Sequence, residues 1–256
     1  MHLQPVPAFA DNYIWMLSAD HQADCIIVDP GAAEPVLRAL AHGPEPSAVL
    51  LTHHHDDHIG GVAELRRRWP ALPVFAPFEE RIAIADAIRV VDGDAVAIGS
   101  WRFEVIGVPG HTRSHVAYVG HGLLFCGDAL FSLGCGRMFE GTPEQMLASL
   151  DRLAALPADT RVCCGHEYTL ANAAFALSVE PDNRALRQRR EQAQRQRDAG
   201  QPTLPSHLGE ELACNPFLRV DQPALRAALA ERTGAAQVDR VQAFAALRQW
   251  KDGFRA

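Results

Sequence analysis

Lysine is nearly missing from this sequence. Of 24 basic residues, 23 are arginine and the one lysine is Lys251. No apolar run approaches the roughly 20 residues that a membrane-spanning helix needs, so no membrane partner is expected. The opening "MHLQPVPAFADNYIW" has neither a basic leader nor an apolar core, which predicts no secretion signal. Positive charge is not in excess: the net charge of -7 argues against a nucleic-acid partner. Cysteine pairs of the C-x-x-C kind are absent as well. Cys25, Cys126, Cys135, Cys163, Cys164 and Cys214 sit mostly in apolar stretches such as "LLFCGD" and "RVCCGH". That pattern predicts reduced core thiols in a cytoplasmic protein rather than disulfides or a sulfur-bound zinc.

What is present divides the 256 residues into two parts. The first alternates short β-branched runs ("CIIVDPG", "SAVLLTH", "LPVFAP", "VAIGSWRFEVIGVPG", "VAYVG", "GLLFCGD") with helical patterns ("AAEPVLRALAHG", "IGGVAELRRRW"). This mixture reads as sheets covered by helices, an α+β fold. "GTPEQMLASLDRLAALP" predicts a helix capped by Thr142, with Pro143 in its first turn, and "TRVCCG" a last short strand leading to His166. After residue 168 strand signals stop, and Ala, Gln, Arg and Leu dominate, predicting a small all-helical C-terminal domain over 169–256. The arginine-rich run 184–197 lacks interleaved aromatics and reads as a solvated helix face rather than an RNA site.

The chemistry is concentrated in "LTHHHDDHIGG", where four histidines and two aspartates occupy the six positions from His53 to His58. "SAVLLT" has a buried-strand pattern, so the cluster begins where a strand ends. On an extended chain His53 and His55 point to one side and can chelate one ion. Asp57 and His58 are adjacent and cannot share a strand face, so the chain must turn there, and Gly60 and Gly61 permit a close backbone approach. His111, Asp128 and His166 each follow an apolar run, as expected of ligands at the ends of neighbouring strands. A catalytic zinc takes about three protein ligands, so these seven side chains suit two divalent ions per chain. His53, His55 and His111 are assigned to one ion, and Asp57, His58 and His166 to the other. Asp128 is assigned to bridge them together with a hydroxide. Two ions, two aspartates and a hydroxide leave a net charge of about +1, which favours an oxyanion as it forms. His54 and Asp56 read as flanking residues, and His115 as a residue that orients a ligand. His2, His21, His42, His121 and His207 read as ordinary core or surface histidines. The ligand types suit zinc first, with iron or manganese as alternatives.

The pattern T-H-H-H-x-D-H-x-G-G resembles the metallo-β-lactamase superfamily. The resemblance implies an αββα sandwich with a dinuclear site in its cleft. The finer likeness, over nearly the whole chain, is to the glyoxalase II (hydroxyacylglutathione hydrolase) family. It is carried by "FADNYIW", "LTHHHDDHIGG", "PGHTRSHVAY", "FCGDALFSLGCGRMFEGTPEQM", "CCGHEYTLANAAFA", "LPSHLGEELACNPFLR" and "RQWKDGF". It implies a catalytic domain over 1–168 and a glutathione-binding helical domain over 169–256. It also implies substrate contacts by Arg137, where the family often has lysine, by Phe139, where it often has tyrosine, and by Tyr168, Arg248 and Lys251.

The activity implied is hydrolysis of S-(2-hydroxyacyl)glutathione, chiefly S-D-lactoylglutathione, to glutathione and D-lactate, a step of methylglyoxal detoxification. A metal-bridging hydroxide would attack, with Asp57 and Asp128 as the catalytic carboxylates. The thiolate leaving group departs with little acid help, since thiols ionise near pKa ~8.5. The alternative is a glutathione persulfide dioxygenase of the same fold, which would use a single iron and oxygen. A β-lactamase or RNA-processing nuclease fits the charge and C-terminal motifs less well, as does a metal-storage module. A monomer in the cytoplasm is expected.

Overall fold

The computed structural model describes residues 1–19, 24–41, 43–234 and 239–255. His21 and His42 lie outside the described residues. The chain forms two compact units. One holds residues 1–107, 114–127 and 163–167; the other holds 108–113, 128–162 and 168–256.

The first unit contains two sheets. One has the strands β1 (His2–Ala8), β2 (Asn12–Ser18), β3 (Asp24–Val28), β4 (Glu45–Leu50), β5 (Val74–Pro77) and β6 (Ile88–Val90), adjacent in chain order. β1 to β3 pair antiparallel and β3 to β6 parallel. Two of the parallel crossovers run through helices: α1 (Ala33–Ala39) follows β3, and α2 (Asp56–Ile59) and α3 (Val62–Arg68) follow β4, whereas β5 reaches β6 through turns alone. Ile14, Ile27, Val36, Val49, Leu51 and Leu65 are among the side chains of the core between these helices and their sheet. Each such side chain taken from water contributes about 1.5–3 kcal/mol.

The other sheet pairs β7 (Ala95–Ile98), β8 (Trp101–Gly107), β9 (Val116–Gly120) and β10 (Leu123–Gly127) antiparallel. β7 alternates exposed and buried residues, as does the start of β8, the period-two pattern of a sheet wetted on one face. β10 is buried throughout. Tyr118 of β9 donates its hydroxyl hydrogen to the Leu51 carbonyl at 2.9 Å, tying the second sheet to the end of β4. The buried Trp15 indole likewise donates to Cys164 O at 2.9 Å.

The second unit starts from a two-residue hairpin, β11 (Leu130–Phe131) with β12 (Gly134–Cys135). α4 (Pro143–Ala154) follows, with the capping box between Thr142 and Gln145 and the apolar stripe Met146, Leu147, Leu150 and Leu153 buried as the pattern predicts. β13 (Arg161–Cys164) pairs through Arg161 and Val162 with β14 (Ser206–His207). The remaining helices are α5 (Thr169–Val179), α6 (Arg184–Asp198), α7 (Leu208–Cys214), α8 (Pro223–Thr233) and α9 (Arg240–Gly253). Phe175, Phe217 and Phe244 pack in their core at centroid separations near 6 Å, with Trp250 edge-on to Phe175 at 5.7 Å.

The fold thus has the expected α+β character, with a helical segment at the C-terminal end. Short β14 is a strand that the composition there did not signal. The arginine run on α6 is solvated except at Arg189, which turns inward and donates to the Thr203 carbonyl at 2.9 Å. Among the described residues, no helix is long and apolar enough to cross a membrane. All six cysteines are buried and none is joined in a disulfide. Burial pushes the Cys25 and Cys214 thiols up to about 12 and Cys135 to about 11, so at neutral pH they are poor nucleophiles.

Candidate metal centre

β4 ends at Leu50, and Leu51, Thr52 and His53 continue fully buried. Asp29, just beyond β3, organises this segment. Its backbone is left-handed at φ 52°, and its N–H donates to Leu50 O at 3.0 Å. Its carboxylate then accepts from Thr52 N at 2.8 Å, from Thr52 Oγ1 at 2.7 Å and from His58 Nδ1 at 3.0 Å. Proton counting fixes two histidines. The Thr52 hydroxyl has one hydrogen and gives it to Asp29, so its 3.1 Å contact with His53 Nδ1 requires that nitrogen to carry the proton. His58 Nδ1 carries a proton for the same reason. In both rings the other nitrogen, Nε2, is left with its lone pair for a metal.

His166 is held the same way from another direction. The segment after β13 runs beside β2, where Tyr13 N donates to Gly165 O at 2.8 Å. His166 Nδ1 meets Asp11 Oδ1 at 2.8 Å, and Nε2 lies 3.4 Å from Asp57 Oδ2. Asn12 Nδ2 donates to that same Asp57 oxygen at 3.0 Å. His58 Nε2 is 3.7 Å from it. Asp57, His58 and His166 therefore offer three ligand atoms within 4.8 Å of one another. His53 Nε2 and His55 Nδ1 face each other at 3.1 Å, on one side of the chain as the spacing predicts. The turn needed at Asp57 and His58 is the single helical turn α2, with exposed Asp56 at its start. A side chain at Gly31 would overlap the Asp57 carbonyl, at 1.8 Å, and one at Gly61 would strike the Pro30–Ala33 backbone at 2.6 Å. Only glycine lets the turn lie this close. His115 stacks flat on His53, with ring centroids 4.7 Å apart, and its Nδ1 faces Val116 O at 3.1 Å. His54 Nδ1 sits 4.0 Å from Glu79, whose carboxyl is held down near 2, mainly by Arg81 and with help from Ser114.

His111 and Asp128 belong to the second unit. His111 Nδ1 donates to the Arg137 carbonyl at 2.8 Å, which leaves Nε2, 3.5 Å from Asp128 Oδ2, as its lone-pair nitrogen. At Gly136 a Cβ would lie 2.0 Å from the Asp128 carbonyl and 3.2 Å from His111 Nδ1. The donor set fits divalent metal: imidazoles with one nitrogen occupied by a protein acceptor, and carboxylates beside them. Asp11, Asn12, Asp29 and Thr52 carry this support, and none was singled out as functional in the sequence. Asp29 had a usable signal, since "CIIVDPG" ends an apolar run in an acid just as "LLFCGD" does.

A cavity of about 460 Å³ in the second unit is lined by His111, Asp128, Arg137, Phe139, Tyr168, Arg248 and Lys251, among others. Lys251 Nζ reaches the Ala171 carbonyl at 3.3 Å. Burial, then the charges of Arg248 and Arg137, pull its amine down to about 8. Arg137 is exposed, with Nε 3.8 Å from Asp252. Phe139 is 63% exposed, and its ring stands 5.3 Å from that of His111. The Tyr168 ring meets Phe131 at 5.2 Å. Arg248 is only 4% exposed, and its guanidinium is already engaged by Cys135 O and Asp252, each at 2.9 Å.

Residues 11–166 match the family model of the metallo-beta-lactamase superfamily, and residues 167–254 that of the hydroxyacylglutathione hydrolase C-terminus. A hydroxyacylglutathione hydrolase of Xanthomonas euvesicatoria is 60% identical over 258 residues, covering 100% of both chains. One of Xylella fastidiosa is 59% identical over 254 residues, covering 99% of this chain and 98% of its own. A crystal structure of ETHE1 from Myxococcus xanthus aligns with a TM-score of 0.65 at 23% identity, over 99% of this chain and 100% of its own, a likeness of fold.

Proposed function

Because the chain belongs to the hydroxyacylglutathione hydrolase family, thioester hydrolases built on the metallo-beta-lactamase fold, we propose that it cleaves S-(2-hydroxyacyl)glutathione, chiefly S-D-lactoylglutathione. The products are glutathione and D-lactate, and the reaction serves methylglyoxal detoxification. The observation that carries this reading is the convergence of Asp57, His58 and His166, with the outer nitrogen of each histidine held by an aspartate.

His53, His55 and His111 would hold one divalent ion, Asp57, His58 and His166 a second, and Asp128 would serve both. Zinc suits these ligands, as do iron and manganese. Bound there, the ions supply a water acidified toward pKa ~7 and positive charge for the developing oxyanion. Asp29 and Asp11 hold the Nδ1 protons of His58 and His166 and so point their Nε2 atoms at the site, and Asn12 restrains Asp57. Arg137, Phe139, Tyr168 and Lys251 bind the tripeptide away from the reacting carbonyl. Arg248, which lines the same cavity, adds positive charge to it while its guanidinium holds Cys135 O and Asp252. Residues 1–168 form the catalytic domain and 169–256 the glutathione-binding domain of a cytoplasmic monomer with no nucleic-acid or membrane partner.

The test is hydrolysis of S-D-lactoylglutathione by purified protein, with metal content measured on the same sample. Turnover that disappears with chelator and returns with zinc supports the proposal. A fully metallated sample that leaves the thioester intact refutes it, and oxygen uptake with glutathione persulfide would then point to the dioxygenase.

Lys251 makes substrate binding depend on pH. Its amine is charged below about 8 and loses that charge as pH rises through this value. KM for the glutathione thioester is therefore expected to be level at neutral pH and to climb above 8. In Lys251→Arg the guanidinium stays charged throughout, so the climb should vanish. Steady-state kinetics on both proteins from pH 6 to 10 check this, and parallel profiles would remove Lys251 from anion binding.

A further inference from the structure

The segment "LPSHLGEELACNPFLR", residues 204–219, supplies no wall of the cavity around Lys251. It nevertheless places a fully buried acid, Glu211, and a fully buried amide, Asn215, against main chain. Glu211 Oε2 accepts from Leu133 N at 2.7 Å and from Asn215 Nδ2 at 3.2 Å. Asn215 Nδ2 also donates to Phe131 O at 3.1 Å and to Gly134 O at 2.9 Å. Asn172 of α5 donates to Ser132 O at 3.0 Å. These contacts hold the four residues that close the β11–β12 hairpin. Its Leu133 is left-handed at φ 60°, a conformation that branched and bulky residues resist.

Burying a carboxylate costs several kcal/mol unless its partners repay it. A leucine at position 211 would fill the space without that cost. The acid is instead aimed at one strained backbone N–H, and the amide at the carbonyls on either side of it. The two ends of the hairpin explain the expense. Asp128 lies two residues before β11, and Arg137 two residues after β12. The Arg137 carbonyl holds His111 Nδ1, and Gly136 N donates to Ala129 O at 3.3 Å, closing the hairpin base between them. Wherever the tip is pinned, Asp128 and the orienting carbonyl of His111 are carried along.

We propose that Glu211 and Asn215 are positioning residues for the metal ligands His111 and Asp128, acting through hairpin 130–135. The proposal rests on the reading of those two side chains as ligands. It predicts that damage to the clamp is felt as weaker metal binding, and not only as lower stability.

The experiment compares full-length Asn215→Ala, Glu211→Leu and Glu211→Gln with Leu225→Ala, a core truncation on α8 that serves as a stability control. Zinc affinity is measured by chelator competition, and the cobalt(II)-loaded proteins are compared by visible absorption. Asn215→Ala and Glu211→Leu are expected to lose about 10–100-fold in zinc affinity, the usual effect of removing outer support from a ligand. Their cobalt spectra should shift as well. Glu211→Gln keeps an oxygen for Leu133 N and should retain both affinity and spectrum. Leu225→Ala should lower Tm alone. If Glu211→Leu does not fold, Asn215→Ala decides the matter. Wild-type affinity and spectrum in Asn215→Ala, at a reduced Tm, would overturn the proposal. His111→Ala separates the two readings: full metal affinity there would defeat the ligand assignment, whereas loss there with none in Asn215→Ala would defeat the clamp.

Discussion

Asp128→Ala is expected to abolish thioester hydrolysis and to strip metal from the protein. The carboxylate is 7% exposed, sits where β10 has just ended, and faces His111 Nε2 at 3.5 Å. A residue serving two ions is needed by both, so metal content should fall from about two per chain toward none instead of by half. The charge stabilisation lost is several kcal/mol, and at about 1.4 kcal/mol per tenfold the rate should drop by at least ~10³. Asp128→Asn keeps the shape but loses the charge, and should fall between the two. Metal analysis by mass spectrometry with kcat on the same samples checks this. A variant that keeps both ions and its rate would end the bridging assignment.

Asp29→Asn should be nearly as damaging, although Asp29 is proposed to touch neither metal nor substrate. Asparagine tolerates the left-handed backbone at this position, and its oxygen can still accept from Thr52 N. Its amide hydrogens, however, would face Thr52 Oγ1 and His58 Nδ1. Thr52 would then have to accept, turning its own hydrogen toward His53 Nδ1. Both rings would be driven to carry their proton on Nε2, the nitrogen meant for metal. A single change of oxygen to nitrogen thus reverses two histidine tautomers. We expect about 10–100-fold weaker metal binding for each histidine affected, with Tm changed little. Chelator competition reports the affinity, and nitrogen-15 NMR of the imidazoles reports the tautomers directly. Unchanged tautomers with weakened binding would reject this proton relay in favour of simple displacement.

The ligand cluster was legible in the sequence because its spacing is local: His53, His55, Asp57 and His58 lie within one strand end and one helical turn. The capping box at Thr142 was legible for the same reason. What holds the ligands was not legible. Asp29, Asp11 and Asn12 reach their histidines across 29, 155 and 154 positions of chain, brought near by the pairing of β3 with β4 and of the segment after β13 with the start of β2. Arg189 shows a similar limit. Its place in a charged run says solvent, and tertiary packing turns that one arginine inward. Arg248 was expected among the substrate contacts from its motif; it lines the cavity, but nothing in the sequence signalled that its guanidinium would also hold Cys135 and Asp252. A pattern of residue types identifies a neighbourhood, whereas donor and acceptor pairing depends on the fold.

The scarcity of lysine gives the cavity a built-in chemical handle. Lys251 is the only side-chain amine in the chain, and an amine lowered to about 8 holds a useful neutral fraction near physiological pH. An amine-selective acylating reagent can therefore mark one side-chain amine, besides the α-amine of the N-terminus, and that side chain lines the cavity beside Tyr168 and Arg137. Mass mapping of the C-terminal peptide before and after labelling becomes an occupancy gauge that needs no engineered tag. Any molecule that fills the cavity shields Lys251, and the degree of protection ranks ligands even in a protein emptied of metal, where turnover has nothing to report.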